Sequence, residues 1–206
     1  MYVDILDIGS GNIKSIQNWI ERLNVSTRIV TKANDIKSNF VILPGVGSAG
    51  PYMDRLKKKE FDKAIYDHVN NNGRVMGICL GFQIMGHSSE EDNGVEGLGL
   101  LDFNTKRLEG HAIHNSWEEF SFRKSELLDQ SFNNQLKLTK KQNIKGRVFF
   151  NHEYGVVCND TKVYNKVISQ ELHNYSSFIV KDNIIGMQFH PEKSQHTGLD
   201  IISMIL

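Results

Sequence analysis

Apolar positions follow two periodicities along the first half of the chain. Short apolar runs bounded by glycine or polar turns predict buried strands, and these runs read YVDILDI, STRIV, FVILP and RVMGIC. Helical spacing recurs between them, at Ile13, Ile16, Ile20 and Leu23, then over residues 51–72, and finally in GFQIMGHSS. Strands that alternate with helices are typical of an open, mostly parallel α/β sheet with helices on both faces.

The second half of the chain has a different pattern. Between residues 98 and 180 the strand-like runs are shorter and helical spacing is rarer. This pattern predicts an antiparallel or mixed extension of the sheet, carried by the runs RVFFNHEYGVV, NKVIS, SSFIVKDN and IIGMQFH. The last residues, TGLDIISMIL, predict a closing helix. No repeat or linker interrupts the chain, so we expect a single domain over residues 1–206.

The charge balance and the cysteine content narrow the possible partners and location. Acidic and basic residues balance at 24 each, so the formal net charge is zero. That balance argues against a nucleic-acid or anionic-lipid partner, and no apolar run is long enough to span a bilayer. There is no basic leader, and the two cysteines are Cys79 and Cys158. We therefore expect a reduced, cytoplasmic protein without a metal or a cofactor.

The segment G77-I78-C79-L80-G81 places a cysteine between two glycines where a predicted strand meets a predicted helix. This is the cysteine form of a nucleophile elbow. The sharp turn strains the backbone of the nucleophile, and side chains two residues before or after it would clash with neighbouring backbone. The partial positive charge of the helix N-terminus favours the thiolate form of Cys79. A buried core cysteine between tightly packed glycines is the alternative interpretation.

The candidate proton carrier for that thiolate is His190, in the segment F189-H190-P191-E192. It lies at the end of a predicted strand, and Glu192 faces the same way if the backbone is extended. A carboxylate beside the ring can fix its tautomer and stabilise its charged form. The tripeptide alone is weak evidence, but with the cysteine elbow it completes a Cys-His-Glu set.

Residues 44–50, PGVGSAG, have the spacing G-x-G-x-x-G directly after the predicted strand FVILP. Dinucleotide-binding loops share that spacing, but the acidic residues that follow at the expected distance fall in helical sequence rather than at a strand end. A thiolate that attacks a carbonyl needs backbone N–H donors for the oxyanion that forms. We therefore interpret Gly45, Val46 and Gly47 as an oxyanion loop, with Leu80 supplying a second donor.

Together these segments resemble class I, or triad, glutamine amidotransferases, and among them the glutaminase subunits of imidazole glycerol phosphate synthases. The resemblance extends over nearly the whole chain. It rests on five segments in order: D7-I8-G9-S10-G11-N12, P44-G45-V46-G47, G77-I78-C79-L80-G81-F82-Q83, S88-S89-E90-E91 with V95-E96-G97-L98-G99-L100, and F189-H190-P191-E192-K193-S194-Q195.

The resemblance implies a glutaminase with a flavodoxin-like fold. Cys79 would attack the side-chain amide of L-glutamine, His190 would act as acid and then base, and Glu192 would orient His190. The substrate contacts would come from Gln83, His152 and Glu153. The released ammonia would pass to a (β/α)8-barrel synthase subunit in a heterodimer, where imidazole glycerol phosphate and an aminoimidazole carboxamide ribotide are made for histidine biosynthesis.

Two segments depart from the family pattern. I113-H114-N115-S116-W117-E118 stands where relatives have P-H-x-G-W-N, and F150-N151-H152-E153-Y154 stands where they have F-x-H-[ST]-Y. These departures leave open a paralogous glutaminase whose ammonia aminates a bacterial surface sugar. A cysteine-triad hydrolase that acts alone is a further alternative, and so is a dinucleotide-binding or regulatory domain without enzymatic activity.

Overall fold

The computed structural model describes residues 2–110, 113–123, 125–126 and 143–206. Within them, the α-helices are α1 (Ile13–Glu21), α2 (Ala49–Lys58), α3 (Phe61–Asn70), α4 (Leu80–Gln83) and α5 (Gln195–Ile205). The strands are β1 (Tyr2–Leu6), β2 (Ser26–Val30), β3 (Phe40–Leu43), β4 (Arg74–Ile78), β5 (Ser88–Ser89), β6 (Val95–Glu96), β7 (Phe103–Arg107), β8 (His114–Arg123), β9 (Asn143–His152), β10 (Tyr154–Cys158), β11 (Tyr164–Val167), β12 (Ser176–Lys181) and β13 (Ile184–Met187). Short 3-10 turns occupy Ala33–Asp35, Glu91–Asn93 and Pro191–Lys193.

The main sheet has a parallel half and a mixed half. Its strand order is β2-β1-β3-β4-β13-β12-β10-β7-β5-β6, with β11 paired to β12. The strands from β2 to β13 are parallel, whereas β12, β10 and β7 continue the sheet through antiparallel pairs. Strands β8 and β9 form a separate antiparallel ribbon. The predicted fold class, a mostly parallel sheet with a mixed extension in the second half, is confirmed.

Both faces of the parallel half are buried, which explains the continuous apolar runs in the sequence. In β3, Phe40 and Ile42 belong to the core that α1 and α5 cover, and Val41 and Leu43 belong to the core that α2 and α3 cover. All four side chains are almost completely inaccessible. A strand buried on both faces needs no polar alternation.

Two of the predicted helices are wrong in extent. The helical segment predicted over residues 51–72 is confirmed as helical but begins at Ala49, ends at Asn70 and is divided into α2 and α3, because Glu60 takes a left-handed conformation with φ 58° and changes the direction of the chain. In GFQIMGHSS the helix ends at Gln83, and Ser88–Ser89 is a strand. The Ile84 and Met85 N–H groups still donate to Leu80 and Phe82, but the backbone then bonds to neighbouring segments: His87 N–H donates to the Phe103 carbonyl, and the Ile84 carbonyl accepts from Leu98 N–H.

The predicted strand RVFFNHEYGVV is two strands in two different sheets. β9 ends at His152 in the ribbon, and β10 begins at Tyr154 in the main sheet, so the chain changes sheets at Glu153. The run IIGMQFH is also shorter than predicted, since β13 ends at Met187. None of the described helices is long and apolar enough to cross a bilayer. The extent of the single domain stays a prediction.

Candidate active site

Cys79 occupies a strained turn between β4 and α4. Its backbone has φ 52° and ψ −112°, a conformation that costs free energy for any residue with a side chain. Parallel pairing anchors the turn, because Cys79 N–H donates to the Met187 carbonyl of β13 at 2.7 Å. Gly81 is required by close packing, since a Cβ there would lie 2.0 Å from the Leu43 carbonyl oxygen. The turn therefore has the geometry of a nucleophile elbow.

His190 reaches the cysteine from the strand beside β4. Its ring and Cys79 line the same cleft, and its Nδ1 lies 2.9 Å from Glu192 Oε1. Its backbone N–H donates to the Phe149 carbonyl of β9, which ties the ribbon to the main sheet. The expected extended backbone between His190 and Glu192 is wrong: Pro191–Lys193 is a 3-10 turn. The turn nevertheless brings the carboxylate back to the ring.

The environment of His190 favours its charged form. Burial opposes the charge, but the attraction of Cys79 and Glu192 prevails and raises the pKa of His190 to about 10. The Glu192 side chain is fully buried and the His190 side chain is 4% exposed. Since Nδ1 donates to Glu192, the other ring nitrogen is free to exchange a proton at the cysteine. The structure thus brings together the three residues of the predicted Cys-His-Glu set.

The PGVGSAG loop packs directly against the elbow. A Cβ on Gly45 would lie 2.4 Å from the Gly81 backbone nitrogen, so only glycine allows this approach. Val46 and Gly47 reach the cleft beside Cys79 and Leu80. The Ser10 hydroxyl donates to the Val46 carbonyl at 2.6 Å and so fixes one peptide of the loop. The loop's position agrees with the interpretation as a source of N–H donors for an oxyanion.

A cleft of about 280 Å³ opens above the cysteine. Of the predicted site residues, Gly45 and Glu192 are not part of its lining: Gly45 packs against Leu80 and Gly81 of the elbow, and Glu192 bonds to the His190 ring. The lining residues are Val46, Gly47, Cys79, Leu80, Gln83, Glu91, Ile113, Asn151, His152, Glu153, Tyr154, His190 and Lys193.

The predicted substrate residues differ in their surroundings. Gln83 is buried and donates to the Tyr154 carbonyl at 2.6 Å and to Gln188 Oε1 at 3.1 Å. The His152 Nδ1 also bonds to the Tyr154 carbonyl, at 2.7 Å. Glu153 is half-exposed, and its carboxylate lies 3.9 Å from Arg107. Their contact with a substrate stays a prediction.

The sequence interpretation missed several residues of the cleft. Glu91 accepts a hydrogen bond from the Ala49 N–H at 3.0 Å, and burial raises its pKa. Lys193 lines the cleft, with its Nζ 5.5 Å from the centre of the Phe149 ring. Gln188 lies outside the lining, with its Nε2 3.8 Å from the Cys79 sulfur. Glu91 and Lys193 fall within the SSEE and HPEKSQ segments, so the resemblance was the available signal. Cys158 is half-buried at the end of β10 and lies outside the cleft lining.

Comparison with known proteins identifies the family. A family model described as glutamine amidotransferase class-I matches residues 4–203. The chain belongs to the class I glutamine amidotransferase family. The assignment confirms the predicted enzyme class. Gly45 packs on the elbow, and this packing explains a glycine in the loop without dinucleotide binding.

Two curated members of the amidotransferase family are similar along their whole length. The chain is 35% identical to the imidazole glycerol phosphate synthase subunit HisH of Buchnera aphidicola, with 100% of this chain and 99% of the relative covered. It is 32% identical to the subunit of the same name in Bacillus subtilis, with 98% and 93% covered. A crystal structure titled glutamine amidotransferase matches with a TM-score of 0.73 at 15% identity, over 98% of this chain and 96% of that one. At this identity the match shows the fold alone.

We predict that His152 makes folding stability fall at mildly acidic pH. Burial lowers the pKa of His152 to about 3, helped by the positive charges of His114 and His190 and opposed by the Tyr154 carbonyl. The unfolded ring binds a proton near pH 6.5, so the stability linked to the neutral ring is complete above pH 6.5 and is lost as the pH falls toward 3. Between pH 7.5 and 5.5 this loss is about 1.4 kcal/mol.

The measurement is the free energy of unfolding by urea at pH 7.5, 6.5 and 5.5 for the wild type and His152→Gln. The variant should lose less stability than the wild type between pH 6.5 and 5.5. His173→Gln is the control, because His173 is exposed and its removal should leave the slope unchanged. Equal slopes for the wild type and His152→Gln would show that the folded ring takes up a proton as readily as the unfolded one.

Proposed function

We propose that the chain is the glutaminase subunit of an imidazole glycerol phosphate synthase and that it hydrolyses L-glutamine to glutamate and ammonia. The observation that carries this proposal is that Cys79 and His190 share one cleft, with Glu192 bonded to the His190 ring, in a chain that aligns end to end with subunits of that name. The same relatives favour histidine biosynthesis over the amination of a surface sugar. A cytoplasmic location stays a prediction.

The geometry supports a two-step hydrolysis. The Cys79 thiolate attacks the side-chain carbonyl carbon of glutamine, and the resulting oxyanion accepts N–H bonds from Leu80 and from the loop of Gly45, Val46 and Gly47. His190 then donates a proton to the leaving nitrogen, so ammonia departs and a glutamyl thioester remains. Next, His190 takes a proton from water, the hydroxide attacks the thioester, and glutamate leaves as the thiol is restored.

The charges of the cleft match an amino-acid substrate. Glutamine carries an α-ammonium and an α-carboxylate group. The carboxylates of Glu91 and Glu153 suit the ammonium group, and the Lys193 ammonium group suits the carboxylate. Gln83 and His152 complete the polar wall, and both are tied to the Tyr154 carbonyl. We propose that these residues hold glutamine with its amide above Cys79.

A synthase partner is part of the same proposal. The relatives are named as subunits of a synthase, and the relative named synthase hisHF, from Arabidopsis thaliana, matches this chain over 34% of its own length at 33% identity. In that relative, the part similar to this chain is about a third of a longer synthase polypeptide. We infer that in this protein the acceptor reaction takes place on a separate polypeptide. We propose a (β/α)8-barrel subunit in a heterodimer, which receives ammonia without its release to solvent.

The first test is the substitution Cys79→Ala, assayed with the synthase partner. Glutamine-dependent product formation should disappear, because the sulfur is the nucleophile. Product formation from added ammonia should persist, because the acceptor reaction belongs to the partner. Cys158→Ala is the matched control and should keep the glutamine-dependent activity. Glutamine hydrolysis by the assembled Cys79→Ala complex would show that the nucleophile lies elsewhere.

A second prediction concerns coupling to the partner. The Ser10 hydroxyl holds the Val46 carbonyl, but the PGVGSAG loop contains three glycines, so its peptide planes can turn at low cost once this bond is released. We expect a loop donor to be aligned only after the partner and its acceptor bind. One missing oxyanion donor lowers turnover by about 10²–10³, so glutaminase turnover should rise by about that factor from the isolated chain to the loaded complex. Equal rates in both would favour a hydrolase that acts alone.

A further inference from the structure

A second group of hydrogen-bonded polar side chains extends from His152, in the wall of the cleft, into the ribbon of β8 and β9. His114 of β8 and His152 of β9 are register partners in the ribbon, both are buried, and their rings meet with His114 Nδ1 3.0 Å from His152 Nε2. On the far side of His114, Nε2 lies 3.1 Å from Glu118 Oε1 and 2.9 Å from Ser116 Oγ. Ser116 and Glu118 are two of the positions at which the sequence departs from the family pattern.

The contacts of His152 determine where its proton lies. The Tyr154 carbonyl can only accept a hydrogen bond, so the His152 Nδ1, 2.7 Å away, carries a hydrogen. Burial lowers the pKa of His152 to about 3, so the ring is neutral and its Nε2 has a lone pair. The facing Nδ1 of His114 must therefore donate.

The contacts at the other end determine the charge of His114. The Ser116 hydroxyl donates to Glu118 Oε1 at 2.7 Å. Both atoms that face His114 Nε2 therefore present lone pairs, and Nε2 must donate to them. In this arrangement both nitrogens of His114 act as donors, which is the hydrogen-bonding pattern of an imidazolium paired with the Glu118 carboxylate. Burial opposes the charge of Glu118, but the hydrogen bonds from Ser116 and His114 lower its pKa, so the carboxylate is the charged partner.

We propose that Glu118 and Ser116 are positioning residues that hold His114 as an imidazolium and thereby fix His152 as a neutral donor to the Tyr154 carbonyl. The proposal rests on the proposed glutaminase function, because the carbonyl that is fixed belongs to the glutamine cleft. That carbonyl also accepts from Gln83. A continuous chain of hydrogen bonds thus runs from the carboxylate of Glu118 to a side chain of the cleft wall.

Loss of the Glu118 charge disturbs this series of hydrogen bonds at the contact between His114 and His152. Without an anion beside it, the buried His114 ring keeps one proton, which either nitrogen can hold. When Nε2 holds it, His114 Nδ1 presents a lone pair to the lone pair of His152 Nε2, and the bond at 3.0 Å is lost. The His152 ring then has only the Tyr154 carbonyl to hold it, and the wall that contacts glutamine loosens.

The test uses nitrogen NMR of the imidazole rings in the isolated chain at pH 7.5, with the two rings assigned through His114→Gln and His152→Gln. In the wild type, both nitrogens of His114 and only Nδ1 of His152 should carry hydrogens. In Glu118→Gln, His114 should lose a proton.

In the Cys79→Ala background, which binds glutamine without turnover, Glu118→Gln should raise the glutamine Kd about tenfold, as the loss of a charged hydrogen bond does.

Glu119→Gln is the matched control. Glu119 is the next residue of β8, it is exposed, and its carboxylate lies 3.9 Å from Arg147, so its substitution should change neither the ring protons nor the Kd. A wild-type His114 with a single proton, or a His152 with its proton on Nε2, would overturn the proposal even if Glu118→Gln fails to fold. So would an unchanged glutamine Kd in a folded Glu118→Gln. If the ring protons are as predicted but the chain hydrolyses no glutamine under any condition, it is the proposed function that is contradicted.

Discussion

The chemistry of the site depends on one buried contact, the hydrogen bond of 2.9 Å between Glu192 and the His190 ring. A carboxylate that is removed from water costs several kcal/mol unless a positive charge accompanies it. Glu192 is fully buried, and its second oxygen accepts no hydrogen bond from any described residue. The charge on His190 is therefore the main compensation for Glu192. This requirement keeps the ring protonated at Nδ1 and turns its other nitrogen toward Cys79.

The parallel sheet makes that contact possible between residues far apart in the chain. β4 and β13 are parallel neighbours, with Ile78 opposite Met187, so Cys79 and the segment leading to His190 leave the sheet at the same edge. β3, on the other side of β4, brings the PGVGSAG loop to this edge. Carboxyl ends of adjacent parallel strands are where α/β sheets form their binding sites. The ribbon of β8 and β9 closes the site through the pairing of Phe149 with His190.

Local patterns predicted the parts of the site that depend on short segments. The glycines around Cys79 and the buried runs FVIL and RVMGI specify an elbow and its neighbouring strand, because each constraint acts within a few residues. Other features depend on contacts between distant segments. The turn that returns Glu192 to His190, the end of α4 at Gln83 and the change of sheet at Glu153 all follow from packing against other strands. The pairing of His114 with His152 has no signal in either segment alone, since it depends on the register of the ribbon.

If Glu192 acts only through His190, the two residues must behave as one unit. A double-mutant cycle of His190→Asn and Glu192→Gln, read as glutaminase turnover with the synthase partner bound, measures this directly. His190→Asn should lower turnover by about 10²–10⁴, the usual contribution of a general acid and base, and Glu192→Gln should lower it less. The double variant should be little worse than His190→Asn alone, because the carboxylate has no role once the ring is gone. Losses that multiply would show that Glu192 contributes independently of His190 and would contradict the triad.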